Sequence, residues 1–181
     1  MKFVTGLKQY LIVNAGIVLT HLICAGWIEN CSTSILAFDI AQFFPSLNHQ
    51  ILSLILNKMG FDSRVSQFFN NYLVGRKTKY FWNNFLSSYF DVNIGVRQGF
   101  AFSFILSALY LSLIFYVFEK RLRILKIPVS VLLFVDNGLF IAQNKSFHIS
   151  NSTLFYSYHI MSLFLEQFGL ALYPRRACAL T

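Results

Sequence analysis

Apolar positions recur along this chain in two periods, and the switches between them mark out its elements. The first thirty residues read as helix, with Ile12, Ile17, Leu19, Leu22 and Ile23 as expected core positions. Asn30 to Ser34 reads as a turn, and Ile35 to Ile40 as a buried strand ending at Asp39. Pro45-Ser46 is a helix start signal with Ser46 as N-cap; Leu47, Ile51, Leu54 and Ile55 follow at helical spacing until Gly60. Asp62 caps a further helix through Tyr72, ended by Gly75. Lys77 to Trp82 and Leu86 to Val92 flank Asn83-Asn84 and predict a hairpin. Gly95 to Gly99 reads as a loop before a long helix from about Ser103 to Arg123. After Pro128, Val129 to Val135 and Leu139 to Gln143 predict two strands around the turn sequence Asp136-Asn137-Gly138. A helix over His148 to Phe168, stopped by Gly169, and short strands at Leu170 to Tyr173 and Ala177 to Leu180 complete the pattern. Strands and helices interleave, which predicts an α+β fold: a mainly antiparallel sheet with helices packed on one face.

Composition sharpens this picture in two ways. Hydrophobic residues make up 56% of 181 and charged ones 12%, outside the usual soluble mix. The run from Ala101 to Phe118 has no charge and is followed at once by Glu119, Lys120, Arg121 and Arg123, as at a membrane boundary. A helix buried inside protein is the competing reading, and the motifs below favour it. The net charge is +8, which favours polyanions such as nucleic acid or anionic lipid. Cys24, Cys31 and Cys178 have no redox or metal-ligand spacing, so an intracellular, reducing setting is expected. Lys2 and Lys8 ahead of the apolar stretch Tyr10 to Ile23 have the layout of a signal peptide, but Asn14 and His21 interrupt it.

The candidate chemistry lies in two carboxylates. Only seven residues are acidic, yet Leu36-Ala37-Phe38-Asp39-Ile40 and Leu133-Phe134-Val135-Asp136-Asn137 each place one in an apolar run. An ionised carboxylate there must be paired, hydrogen-bonded or metal-bound. Two of them on adjacent strands can hold divalent ions for phosphoryl transfer. Alone, Asp39 reads equally as a helix cap or turn residue, and Asp136-Asn137-Gly138 as an ordinary turn. A third stretch, Gly95-Val96-Arg97-Gln98-Gly99, combines glycines that permit close backbone approach with donors for phosphate or base edges.

Taken in order, these stretches resemble the reverse transcriptase domain of non-LTR (LINE-type) retrotransposons of the fungal kind. The segment from Ala37 to His49 resembles that family's first catalytic motif, Gly95 to Gly99 the second, and Phe134 to Asn137 the aromatic-x-Asp-Asp motif. Phe168-Gly169-Leu170 with Arg176, Tyr72 to Thr78, and Gly6 to Leu22 also resemble family segments, so the likeness covers nearly the whole chain. It implies a polymerase palm over residues 34–181 and a remnant of the fingers over residues 1–33. It implies RNA-directed DNA synthesis with an RNA template, a DNA primer and deoxynucleoside triphosphates as partners. Asp39 and Asp136 would ligate two Mg²⁺ ions, with Asn137 beside them. Phe44 would exclude the ribose 2′-hydroxyl, Arg97, Gln98 and Gly99 would meet the template–nucleotide pair, and Arg176 would assist at pyrophosphate. Arg76, Lys77 and Lys79 could contact a duplex backbone or form a solvated basic turn. The expected location is cytoplasm or nucleus.

The likeness has departures. Asn137 replaces the second Asp of the family pair. Phe100-Ala101-Phe102-Ser103 stands where a small residue and Pro-Leu-Ser-Pro are usual, which places aromatics where the template backbone would run. The chain begins partway through the fingers and ends without a thumb, so a truncated, partly degenerate copy with little or no polymerase activity is expected. The rival classes are a small integral membrane protein with spans near residues 10–28 and 101–118, and a catalytically dead nucleic-acid-binding module.

Overall fold

A computed structural model describes residues 2–3 and 12–180, with side chains for residues 14–100 and 102–173. Its elements begin with β1 (Lys2–Phe3), α1 (Ile12–Ile28), β2 (Ser32–Ala41), α2 (Phe43–Ser46), α3 (His49–Lys58) and α4 (Ser63–Leu73). Short strands β3 (Lys77–Thr78), β4 (Phe81–Trp82), β5 (Phe85–Leu86) and β6 (Phe90–Asp91) precede the long helix α5 (Ala101–Ile124). Then come β7 (Val129–Phe134), β8 (Asn137–Asn144), α6 (Phe147–Glu166) and β9 (Ala171–Leu180). The chain divides into two compact units, Met1–Ala41 with Leu111–Thr181, and Gln42–Tyr110. Helix α1, the segment expected to belong to the fingers, shares its unit with β2.

The first unit is built on β2. Its sheet has the order β1-β7-β8-β2-β9, antiparallel except that β1 runs parallel to β7. Alternation along β2 sends successive side chains to opposite faces. On one face Ile35, with Leu132 and Ile141, packs against Val18, Leu19, Leu22 and Ile23 of α1. Gln143 Nε2 donates to the Leu22 carbonyl (2.6 Å) and to Thr33 Oγ1 (3.0 Å), which ties the helix to the sheet. On the other face Phe38 meets Phe140 with ring centroids 4.6 Å apart, and Phe118 of α5 lies 6.2 Å from both Phe140 and Phe164 of α6. Ser34 and Ser150 share a buried hydroxyl hydrogen bond of 2.7 Å between β2 and α6. Within this unit α6 and the Phe118 part of α5 therefore take one face, and α1 covers the other. Each fully buried apolar side chain here contributes about 1.5–3 kcal/mol of transfer free energy.

The second unit holds α3, α4 and the hairpin. Asn48, not Ser46, caps α3: its side chain accepts from the backbone N–H groups of Gln50 (2.9 Å) and Ile51 (3.2 Å). Ser46 instead closes the one-turn helix α2. Asp62 caps α4 through the Arg64 N–H, as expected. The hairpin forms at the expected place, as two short ladders, β3–β6 and β4–β5, with Asn83 and Asn84 both at positive φ.

Three expected core assignments fail. Ile17 and Leu54 are exposed. Each lies about 200° around its helix from a buried neighbour (Leu19 is partly buried, Leu52 fully), at about 100° per residue. Helix α5 is long and apolar enough to cross a membrane by length and composition, yet it is not buried all round. Ser103, Leu106, Tyr110, Ile114, Phe118 and Leu122 are buried at helical spacing, whereas Ile105, Tyr116, Val117 and Ile124 are exposed. The two short strands expected near the end form one, β9, which accommodates Pro174 because it lies at the sheet edge.

Gly138 faces Phe38 directly across the β2–β8 ladder, and a Cβ there would overlap the Phe38 ring. Phe38 is fully buried and cannot withdraw. Gly138→Ala is therefore expected to destabilise the fold by about 1–3 kcal/mol, the usual cost of overpacking, read as a lowered urea midpoint.

Candidate active site

The backbone brings the two aspartates singled out in the sequence to one end of the β2–β8 ladder. Asp39 pairs in register with Asn137, the first residue of β8. The Ile40 N–H donates to the Asp136 carbonyl at 2.8 Å, so the backbone fixes the two aspartates relative to each other. Asp39, Asp136 and Asn137 are all half-buried. The Asn137 amide Nδ2 donates to Asp136 Oδ1 at 3.0 Å.

The turn is not Asp136-Asn137-Gly138. Phe134 pairs with Asn137 and Leu133 with Gly138, so the turn residues are Val135 and Asp136. The reason is the register: the one residue without a Cβ must stand opposite Phe38, which pulls Asn137 and Gly138 into the strand. Val135 then takes φ 55°, in the left-handed region that a β-branched residue rarely enters. A second irregularity flanks Asp39 on β9. Ala37 pairs with Arg176 but Phe38 with Pro174, which leaves Arg175 as a bulge. Bulges often re-aim side chains beside functional sites. Tyr173 stands opposite Asp39 on that strand. Arg176 lies in register with Ala37, and its side chain is outside the described residues.

In the second unit the structure joins the remaining predicted residues around one loop. The Val96 N–H donates to the Phe44 carbonyl and the Gly95 N–H to the Leu47 carbonyl, both at 2.7 Å. Gly95 has φ 80°, and a Cβ there would sit 2.5–2.7 Å from the Pro45 backbone. Phe44 is half-buried against Phe43, while Arg97, Gln98 and Gly99 are exposed just beyond Val96. Two residues given no part in this loop by the sequence hold it. Arg76 Nη2 donates to the Gly95 carbonyl, and His49 Nε2 lies 2.6 Å from the same oxygen. Asn48 forms an isolated antiparallel bridge with Ile94, which brings the His49 ring beside Gly95 and is invisible to periodicity.

The aromatics expected to intrude on a template have partners. Phe100 stacks on Tyr72 of α4 at 5.6 Å and 17°, and Phe102 meets Phe68, Phe69 and Tyr72 edge-on. Tyr110 is buried, and its hydroxyl accepts a backbone hydrogen bond from Asn48. Burial pushes its pKa up from 10 to about 12, and the Asn48 N–H partly opposes this.

Among the described residues no three His, Cys, Asp or Glu side chains cluster. The polar side chains that the backbone places at this end of the ladder are those of Asp39, Asp136 and Asn137. Carboxylate and amide oxygens are the ligand types that a hard divalent cation takes.

Neither a protein-family model nor a curated protein matches this chain. Solved structures do. Telomerase from Candida tropicalis in complex with the TWJ fragment of telomeric RNA matches over 91% of this chain, with a TM-score of 0.66 and 13% identity. Apo telomerase from the same organism, truncated from its C-terminal domain, matches over 98% with a TM-score of 0.58 and 15% identity. Telomerase from Candida albicans with the TWJ fragment matches over 82%, at 0.54 and 15%. This chain spans 29%, 36% and 28% of those three chains. At these identities the likeness is one of fold: this chain shares the mixed α+β architecture of the matching part of those telomerase chains.

Two outcomes follow from this geometry. Val135→Gly is expected to raise stability by about 1 kcal/mol by removing left-handed strain, measured as a higher urea midpoint. Because the folded pKa of Tyr110 lies above its ordinary value, its contribution is complete below pH 10 and is lost as pH rises through about 12. Unfolding curves at pH 8 and pH 11 should differ less for Tyr110→Phe than for the parent chain.

Proposed function

We propose that this chain is a palm portion of an RNA-directed DNA polymerase of the LINE-type reverse transcriptase class. The carrying observation is the register of Asp39 with Asn137, locked by the Ile40 N–H to Asp136 carbonyl bond. It brings two carboxylates from distant parts of the chain to one sheet end. The order of the sequence motifs and the telomerase-like fold support the same reading.

In this reading Asp39 and Asp136 hold Mg²⁺, and Asn137 adds a neutral amide oxygen. The metal pair supplies activation of a primer 3′-hydroxyl and charge neutralisation at a nucleoside triphosphate. Phe44 walls the sugar, and the backbone at Gln98 and Gly99, with Arg97, meets the template–nucleotide pair. Arg176 offers a cation to phosphate. The partners are an RNA template, a DNA primer and deoxynucleoside triphosphates, in an intracellular setting; the RNA in two of the telomerase structures agrees with the first of these. A second reading, a catalytically silent nucleic-acid-binding module, is favoured by one feature. Asn137 supplies no charge and engages an oxygen of Asp136.

Mn²⁺ binding by the full chain, followed calorimetrically, separates the two. Loss of binding in both Asp39→Ala and Asp136→Ala supports the polymerase site. Asn137→Asp should then tighten binding about tenfold, because an added charge at contact distance is worth on the order of 1 kcal/mol or more. Binding that survives both alanine variants would sink the polymerase reading.

A further inference from the structure

The hairpin between Arg76 and Arg97 carries a surface that the carboxylate pair does not use. Six of the eleven residues from Tyr80 to Phe90 are aromatic. At its tip Phe81 is 67% exposed, Trp82 72% and Phe85 60%, and Tyr89 is 64% exposed further down. Large aromatics bared on a two-stranded ribbon gain nothing for folding, since such a ribbon has no core of its own to fill. A contiguous exposed apolar patch marks an interaction site.

The same ribbon is basic. Arg76, Lys77, Lys79 and Arg97 line a cleft of about 610 Å³ together with Thr78, Tyr89 and residues 94–96. Within residues 76–97 these four cations face a single carboxylate, Asp91, which lies 4.0 Å from Lys77 in an exposed pair. Such a pair neutralises little. Lys79 Nζ sits 5.0 Å above the Tyr89 ring, so cation and aromatic already share one surface. Arg76 is held at the base by the Gly95 carbonyl, which keeps one end of the cleft in place.

From this juxtaposition we propose that the hairpin is a docking platform for an unpaired nucleic-acid strand. The phosphates lie along Arg76, Lys77, Lys79 and Arg97, and successive bases stack on Tyr89, Phe85 and Trp82. Cations in a groove with interleaved rings are what an unpaired strand requires: every base has a π-face, so stacking is independent of sequence. A duplex hides those faces. A purely apolar protein partner or the acyl region of a bilayer gains nothing from four cations lining the cleft. The proposal rests on the nucleic-acid part of the function proposed above but not on the metal pair, so it survives loss of Mn²⁺ binding.

The test uses the full chain with Trp27→Phe, which leaves Trp82 as its one tryptophan. Single strands of about 12 nucleotides, RNA and DNA in separate titrations, fall within the usual site size. Both are expected to quench Trp82 emission and to bind more tightly than a duplex of equal length. In the parent chain, followed by anisotropy of a labelled strand, Trp82→Ala should weaken binding about tenfold with an unchanged salt slope. Lys79→Ala should weaken it and lower the slope by about one. Trp82 is so exposed that its variant should keep the parent circular dichroism spectrum, and Phe85→Ala provides a second, independent stacking variant. Equal affinity for duplex and single strand, or unchanged binding in both aromatic variants, would overturn the proposal. So would Trp82 quenching by anionic phospholipid vesicles but not by strands, or quenching that tracks protein concentration alone.

Discussion

The contact between Phe38 and Gly138 is the constraint on which the candidate site depends. A fully buried ring on the central strand needs a partner position with no side chain, and only one register of β8 provides it. Slipping that register by one residue would turn every side chain of β8 to the opposite face. It would place Asn137 out of line with Asp39 and a bulky residue against Phe38. The apolar packing around Phe38 and the juxtaposition of Asp39 with the Asp136 turn are thus one requirement seen twice.

Around that fixed point, the local irregularities gather at the same end of the sheet. Val135 is held at positive φ, Arg175 is bulged out of β9, and Gln42 at the end of β2 is left-handed too. Each departs from the cheapest local conformation, and each is imposed by a strand that is otherwise regular. Strain held in place by surrounding packing is common where side chains must be aimed rather than merely buried.

Much of this was legible in the residues, and the misses have physical causes. Periodicity located most helices and strands, because one face of each is buried and the arcs are wide. It failed at Ile17 and Leu54, where an apolar residue stands on the solvent side of an otherwise apolar sequence. It marked α5 as buried on most faces but could not say which, because serines at 103 and 107 turn inward while Tyr116 and Val117 turn outward, the reverse of what residue type suggests. Asp39 and Asp136 could be named from their apolar runs, but the turn could not: Asp-Asn-Gly is a better turn sequence than Val-Asp, and only Phe38, a hundred residues away in sequence, decides otherwise. The hold of Arg76 and His49 on Gly95 is likewise tertiary, with no local signature.

These roles also separate what a drifting sequence can lose. Position 137 serves the fold through its backbone, by pairing with Asp39 and Phe134, and any residue tolerant of a strand can do that. Its side chain donates to Asp136 Oδ1 and takes no part in the ladder, so exchange at this position leaves the architecture intact. Gly138 is the opposite case: it carries no chemistry, yet a single added methyl would collide with the core. Phe100 and Phe102 likewise serve packing, since their rings are taken up by Tyr72, Phe68 and Phe69. The fold can therefore persist through substitutions of the side chains at the sheet end, because the buried shape complementarity that holds it is spread over many contacts.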